Sequence, residues 1–275
     1  MAYTSNGTAT TTTASAANPR SFEVDGFHIT TQKLPILKAE PIERMTQQIG
    51  IPIPEMIFGD NYVAVEHVAS HFGIRFTAFG ALDAVDKTGE KRLKLSYSAD
   101  WHRSRQDQHD FKEMEEVKPY DWSYSPQQYR GELSSDKSPK LVESDAEIPL
   151  DLLKRPDPIL FFDDVILYED ELADNGIAML SVKIRVMPAR LLLLSRFFMR
   201  LDHVLLRVRD TRVYVDFGRR WVVREYTEKE REYEAVREQL ASRRVDVSAA
   251  MRDANQMAEL LPVTKRVVDE VTLPG

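Results

Sequence analysis

The chain has 275 residues, 43% hydrophobic and 29% charged, with a formal net charge of −7 and no cysteine. Without thiols there can be no disulfide, thiolate metal site or cysteine nucleophile, and the composition suits a reducing compartment. The acidic balance argues against a general nucleic-acid binder, while the apolar content can fill the core of one large domain or two small ones.

The opening residues, MAYTSNGTATTTTASAANPR, lack the basic n-region and apolar h-region of a signal peptide, so residues 1–20 are expected to be a disordered Thr/Ala-rich extension. Apolar runs such as Leu191–Leu194 are too short to cross a bilayer, and the expected location is the cytoplasm, with the nucleus as a second compartment. Phe22 and Val24 alternate before Asp25-Gly26, and Phe27 and Ile29 after it, which predicts a hairpin. In EPIERMTQQIG, Pro41 opens a short helix, Ile42, Met45 and Ile49 share a face, and Gly50 ends it. A strand through Val63 and Val65 follows the Gly59-Asp60 turn, and FGIRFTAFGALDAV reads as a strand running into one or two helical turns. RLKLSYSADW alternates as a strand, residues 101–118 read as a charged helix, and KPYDWSYSPQQYRG as an aromatic turn segment that re-enters the sheet. Pro139, Pro149 and Pro156 punctuate the polar stretch between Glu132 and Asp157, with Pro158 just past its end, predicting a surface excursion with one short helix.

Residues 163–226 organise the chain. From Lys183 to Arg224 there are one lysine and ten arginines against three aspartates, so the window carries 11 − 3 = +8 and the remainder −15. Val182, Ile184 and Val186 alternate with Lys183, Arg185 and Met187; further strands are read at Phe197–Leu201, Val204–Val208, through Val213 and Val215, and at Trp221–Val223. Helical spacing is read through Tyr226, Tyr233, Val236 and Leu240, and again from the Asp246 N-cap to Pro262. The expected fold is α+β: antiparallel sheets in an open, sandwich-like arrangement covered by C-terminal helices, one domain over residues 21–275.

Catalytic signatures are missing from the sequence: no GxxxxGK[ST], no GxGxxG after a strand, no GxSxG. His67 and His71 have zinc-like spacing without the intervening glutamate of HExxH. The carboxylates Asp163, Asp164, Glu169, Asp170, Glu171 and Asp174 lack EF-hand order; they read as an acidic rim for the arginines, with a divalent-metal-dependent hydrolase as the alternative. No cofactor and no metal are expected.

Arg196 and Arg200 share one strand parity, Arg207 and Arg209 another, and Arg185 and Arg212 join the same surface. Like charges facing one another across a sheet need anions, either the chain's own Asp202, Asp210 and Glu225 or those of a partner. Arg185, Arg196, Arg200 and Arg212 are therefore the candidate anion contacts, with Tyr214 and Tyr226 as aromatic walls, while Asp60, Asn61, Asp121 and Trp122 are expected to shape turns.

Four blocks resemble one family: PEMIFGDN, KPYDWSY, DDVILYEDELADNG through LSVKIRVMP, and RFFMRLDHVLLRVRDTRVY followed by REYT. The chain is similar, over about residues 21–262, to the TIPRL-type regulators of the TOR signalling pathway. The resemblance implies a non-enzymatic regulator that binds catalytic subunits of type 2A protein phosphatases, including the type 4 and type 6 relatives. It also implies a link to the alpha-four/Tap regulatory subunit, and a cleft for the phosphatase and its C-terminal tail. That tail ends in a free carboxylate and carries an aromatic residue, which suits an arginine–aromatic receptor. Where the family carries an acidic residue this chain has Gly80, so a binding role there does not transfer, and the roles of the N-terminal extension and the 132–157 excursion stay open.

Overall fold

The computed structural model describes residues 19–88, 94–95, 116–117, 119–134 and 138–274. Residues 1–18 of the expected disordered extension, most of the strand read in RLKLSYSADW and most of the helix read at 101–118 lie outside the described residues, while Arg20, the last residue of that extension, instead opens the first strand and pairs with Asp163; inside the 89–118 stretch, β6 (Lys94–Leu95) pairs with β7 (Glu116–Val117).

Two antiparallel sheets form an α+β sandwich. The smaller has the order β1-β2-β4-β5-β8, comprising β1 (Arg20–Val24), β2 (Phe27–Gln32), β4 (Tyr62–His67), β5 (Phe72–Thr77) and β8 (Glu132–Leu133). The larger has eight strands in the order β3-β10-β11-β12-β13-β14-β15-β9: β3 (Met56–Ile57), β10 (Phe161–Asp170), β11 (Gly176–Met187), β12 (Arg190–Leu201), β13 (Leu205–Asp216), β14 (Trp221–Glu232), β15 (Val263–Thr272) and β9 (Val142–Glu143). Six α-helices stand among the described residues: α1 (Ala39–Ile49), α2 (Ala78–Asp83), α3 (Leu150–Leu153), α4 (Tyr233–Ala241), α5 (Val247–Arg252) and α6 (Ala254–Leu260).

Local chemistry accounts for the early elements. Asp25 and Gly26 take φ of 47° and 80°, the left-handed pair that a tight hairpin between β1 and β2 requires. Gly50 at φ 82° ends α1, its N–H donating to the Thr46 carbonyl. The main core lies between the sheets, where Phe27, Ile29, Val63, Val65, Phe72 and Ile74 meet Val165, Val182, Ile184, Leu193 and Val213. This side of the large sheet is called its inner face.

Four readings of the second half are corrected. The strands read at Val204–Val208 and through Val213–Val215 are one strand, β13, because Arg207, Arg209 and Arg212 each find a partner and the polar run does not break it. Tyr226 lies in β14, which continues to Glu232; the helix starts only at Tyr233. The helix after Asp246 is two helices, since Asp253 leaves helical geometry (ψ 104°) and caps α6 by accepting from Asn255 and Gln256. Finally, residues 263–272 form β15, whose Thr-Lys-Arg-Val-Val-Asp-Glu-Val pattern had not been read as a strand.

The excursion carries its expected short helix, α3, but it also supplies β8 to one sheet and β9 to the other. Past β9 it crosses the outer face, where Ile148 and Leu153 pack on Met187, Tyr214, Val223 and Val268. The helices α4–α6 cover another part of that face through Phe198, Leu206 and Val208.

The seam between the sheets is polar. Asn61 accepts from the Leu34 N–H at 2.6 Å and donates to the Ile166 carbonyl at 2.9 Å. Asp163, 2% exposed, accepts from Thr31 at 2.5 Å and pairs with Arg20 at 3.0 Å and with Lys33. Burial pushes its carboxyl up, but the hydrogen bonds from Lys33, Thr31 and the Asp164 N–H prevail and hold it below its ordinary value. With Arg20 donating to the Phe162 carbonyl, these side chains cap the exposed edge of β10 and blunt it against further strand pairing.

Candidate partner-binding face

Cross-strand register decides where each arginine points. On the outer face one row runs Asp164, Lys183, Leu194, Arg212, Glu225 across β10 to β14, and the next runs Phe162, Arg185, Leu192, Tyr214, Val223. The rows beside Phe198 and Val208 lie under α4–α6, and those at Tyr214, Val223 and Val268 under the 146–153 crossing. Between the two covers the sheet is open. Phe162 is 50% exposed and Ile166 37%, while the Lys183 and Arg212 side chains are 46% and 30% exposed.

The structure brings Arg185, Arg196, Arg200, Arg212 and Tyr214 to this outer face and puts Tyr226, opposite Thr211, on the inner one. The five differ in what they have left to offer. Arg196 is buried and bidentate on Asp210 at 2.8 and 2.7 Å, with Nη1 donating to Asn255 and the Ala254 carbonyl of α6. Arg200 holds Asp202 at 2.7 Å across the β12–β13 turn. Arg212 bridges Glu225 at 2.8 Å and Asp210 at 3.3 Å, and Arg266 adds a second cation to Glu225 at 2.9 Å. Arg185 donates to the Leu153 carbonyl at 3.0 Å. Tyr214 is fully buried, its hydroxyl without a partner among the described residues and its ionisation raised by burial. Arg185 and Arg212 therefore border the open strip, whereas Arg196 and Tyr214 lie beneath the covers.

Lys229 also serves a cover: it reaches the Ala258 carbonyl of α6, and burial lowers its ionisation. With Arg196 it fastens α6 to the sheet.

The inner face uses its arginines differently. Arg207 donates to Glu230 at 2.6 Å and to Ser125 at 2.7 Å; Arg209 donates to the Pro126 carbonyl at 2.8 Å. Thr211 reaches the Tyr129 carbonyl at 2.8 Å, Tyr168 the Tyr124 carbonyl at 2.8 Å, and Arg224 the Arg130 carbonyl at 3.1 Å. Arg224 is also bidentate on Asp269, which Arg130 shares at 2.9 Å. Residues 120–130 are thus fastened along their length to β10, β13 and β14, with Tyr120, Trp122, Tyr124 and Tyr129 buried in the main core. Tyr226 stands among these contacts, its hydroxyl donating to Glu228 at 3.1 Å and its ionisation raised first by burial. The anchoring role of Arg207, Arg209 and Arg224 was not read from the sequence; the aromatic density of the 120–130 segment was its one visible signal.

The acidic 163–174 carboxylates do not converge. Asp163 serves the seam, Asp164 pairs with Lys183 at 3.0 Å, and Asp170 accepts from the Leu172 and Glu55 N–H groups at 2.7 and 3.0 Å. Burial raises both Asp170 and Glu55, with their neighbouring acids adding to it. Among the described residues no group of three or more His, Asp or Glu side chains is placed to hold a metal ion. His67 is buried, bonded to Ser70 at 2.8 Å, and burial lowers its protonation; it is a core residue. At Gly80 a Cβ would lie 2.0 Å from Glu132 Oε1, a carboxylate held by Thr77 at 2.7 Å and Tyr129 at 2.9 Å. Another part of the chain thus places an acid over that position.

Taken together, fold and face define an α+β sandwich protein that presents an open sheet surface of mixed charged and apolar character. The model of the TIP41-like family matches residues 56–237. The Saccharomyces cerevisiae protein "Type 2A phosphatase activator TIP41" is 41% identical over 267 residues, covering 90% of this chain and 73% of that protein. The human "TIP41-like protein" is 35% identical over 257 residues, covering 93% and 90%. The Schizosaccharomyces pombe "Type 2A phosphatase activator tip41" is 33% identical over 243 residues, covering 87% and 93%. The chain belongs to the TIP41-like family. No helix among the described residues is long and apolar enough to cross a membrane.

Proposed function

We propose that this chain is a non-enzymatic regulator that binds the catalytic subunit of type 2A-family Ser/Thr phosphatases, grips its C-terminal tail and acts in TOR signalling. The observation that carries the reading is the 41% identity, across 90% of the chain, to a yeast protein named as a type 2A phosphatase activator. The resemblance extends the partners to the type 4 and type 6 catalytic subunits and the alpha-four/Tap subunit, in the cytoplasm and nucleus.

The contact surface in this reading is the open outer strip. Arg212 and Arg185 supply guanidinium to a carboxylate, and Phe162, Ile166 and Leu194 supply apolar area beside Lys183. Arg196 and Arg200 act by holding the strip's walls, through α6 and the β12–β13 turn. Tyr214 supports the floor from below, and Tyr226 acts from the inner face by holding the 120–130 segment.

The test is binding of purified type 2A catalytic subunit, full length and lacking its tail, to the wild-type chain and to Lys183→Gln and Arg212→Gln. The reading expects both substitutions to weaken binding of the full-length subunit and to matter less for the truncated one. Equal binding by all three proteins would remove the strip from the contact.

A further inference from the structure

We propose that Arg209 receives a small oxyanion, a carboxylate or phosphate group, at the junction of β13 with the 120–130 segment. Arg190, Arg196, Arg209 and Arg224 are buried. Three of them lie against a carboxylate: Arg190 with Asp157 at 3.3 Å, Arg196 with Asp210 at 2.7 Å and Arg224 with Asp269 at 2.7 Å. Arg209 has no carboxylate within ion-pair distance among the described residues. Its Nη1 donates to the Pro126 carbonyl at 2.8 Å, and its Nε is buried without a partner among the described residues. Glu228, directly across the strand pair, accepts from Tyr226 instead. A guanidinium in this position is strongly disfavoured unless an anion completes it.

The covering segment points the same way. Trp122 Nε1 and Gln127 Nε2 are also buried donors without acceptors among the described residues, so what this region lacks there is acceptor oxygen. Tyr124 and Gln128 are held in left-handed geometry, at φ 57° and 49°, a conformation that side-chain-bearing residues keep only where their surroundings enforce it. Arg207, Thr211 and Tyr168 supply that enforcement from the sheet. Pro126 and Gln127 therefore form a fixed lip beside Arg209. The Nε–Nη2 edge, which grips carboxylate and phosphate with two parallel hydrogen bonds, is the edge left without an acceptor. This inference stands apart from the phosphatase reading, because it concerns the inner face and its test contains no phosphatase.

The experiment titrates inorganic phosphate, and in a second arm acetate, into the full chain at constant ionic strength with chloride as the balancing anion. Melting temperature and the Trp122 indole N–H resonance are followed. Expected is a melting-temperature rise that grows with the logarithm of ligand concentration and reaches about 5 °C at a hundredfold excess over Kd, with a saturable shift of the Trp122 signal. A response to phosphate alone assigns a phosphoryl ligand, and one to acetate alone a carboxylate. Arg209→Gln should lose the response and Arg209→Lys should weaken it, while the exposed Arg219→Gln keeps it. If Arg209→Gln fails to fold, the Arg209→Lys comparison decides. No saturable response in either arm, or one that survives substitution at Arg209, overturns the proposal.

Discussion

The two faces of the large sheet hold arginines from the same strands and use them in different ways. On the outer face Arg196, Arg200 and Arg212 meet carboxylates of neighbouring strands or turns, and a charged and apolar row remains open to solvent. On the inner face Arg207, Arg209 and Arg224 reach backbone and side-chain oxygens of one crossing segment, leaving little of that segment's aromatic surface exposed. A positive window in an acidic chain is thus two devices: one fastens the molecule together, and the other borders a surface that can meet a partner. The carboxylates that neutralise the arginines are also what let like charges sit side by side in adjacent strands.

The largest effect should come from breaking the inner device. Asp269→Ala leaves Arg224 and Arg130 without their shared acid, and removing one partner of a buried ion pair costs about 3–5 kcal/mol. Urea unfolding should show that loss, with the 120–130 segment exchanging amide protons faster. Asp210→Asn is the outer counterpart. It releases Arg196 and Arg212 together, and is expected to destabilise by about 3 kcal/mol and to loosen α6, which Arg196 holds through Asn255.

Next in size is an acid effect at the seam. The folded Asp163 carboxyl is held below its ordinary value of 3.8. Its contribution is therefore full above that value and is lost as pH falls through the lowered folded value. Wild-type stability should fall in that acid range, and Asp163→Asn should remove this part of the pH dependence; parallel pH profiles for the two proteins would contradict the seam role. The smallest effect belongs to the covers. Asp246→Ala removes the cap that accepts from the Ala249 N–H and should cost about 1 kcal/mol by thermal unfolding, leaving the sheets intact.

Much of the frame was legible because it follows period and punctuation. Asp25-Gly26 marked a hairpin, Gly50 a helix end, and the alternation around Val182–Val186 a strand with one apolar face. The two-faced use of the arginines was not legible. Parity is known within a strand, but whether Arg224 shares a face with Arg212 or with Val213 depends on the β13–β14 register, and that is set by a turn and a distant segment. Tyr226 illustrates the same limit: its spacing to Tyr233 fits a helix, yet pairing with Thr211 and Val267 makes it strand. β15 was hidden because its charged residues dilute the apolar alternation while its neighbours supply their counter-ions, as Arg224 of β14 does for Asp269.

The account's central claim is that the open outer strip, and not the fastened inner face, meets the partner. Calorimetry of purified type 2A catalytic subunit against wild type, Phe162→Ser with Lys183→Gln, and the inner-face Arg207→Lys tests it most directly. At least a tenfold weaker Kd for the outer double variant, with its melting temperature kept and the inner variant binding like wild type, is the predicted result. Undiminished binding by the outer variant alongside loss by the inner one would contradict it.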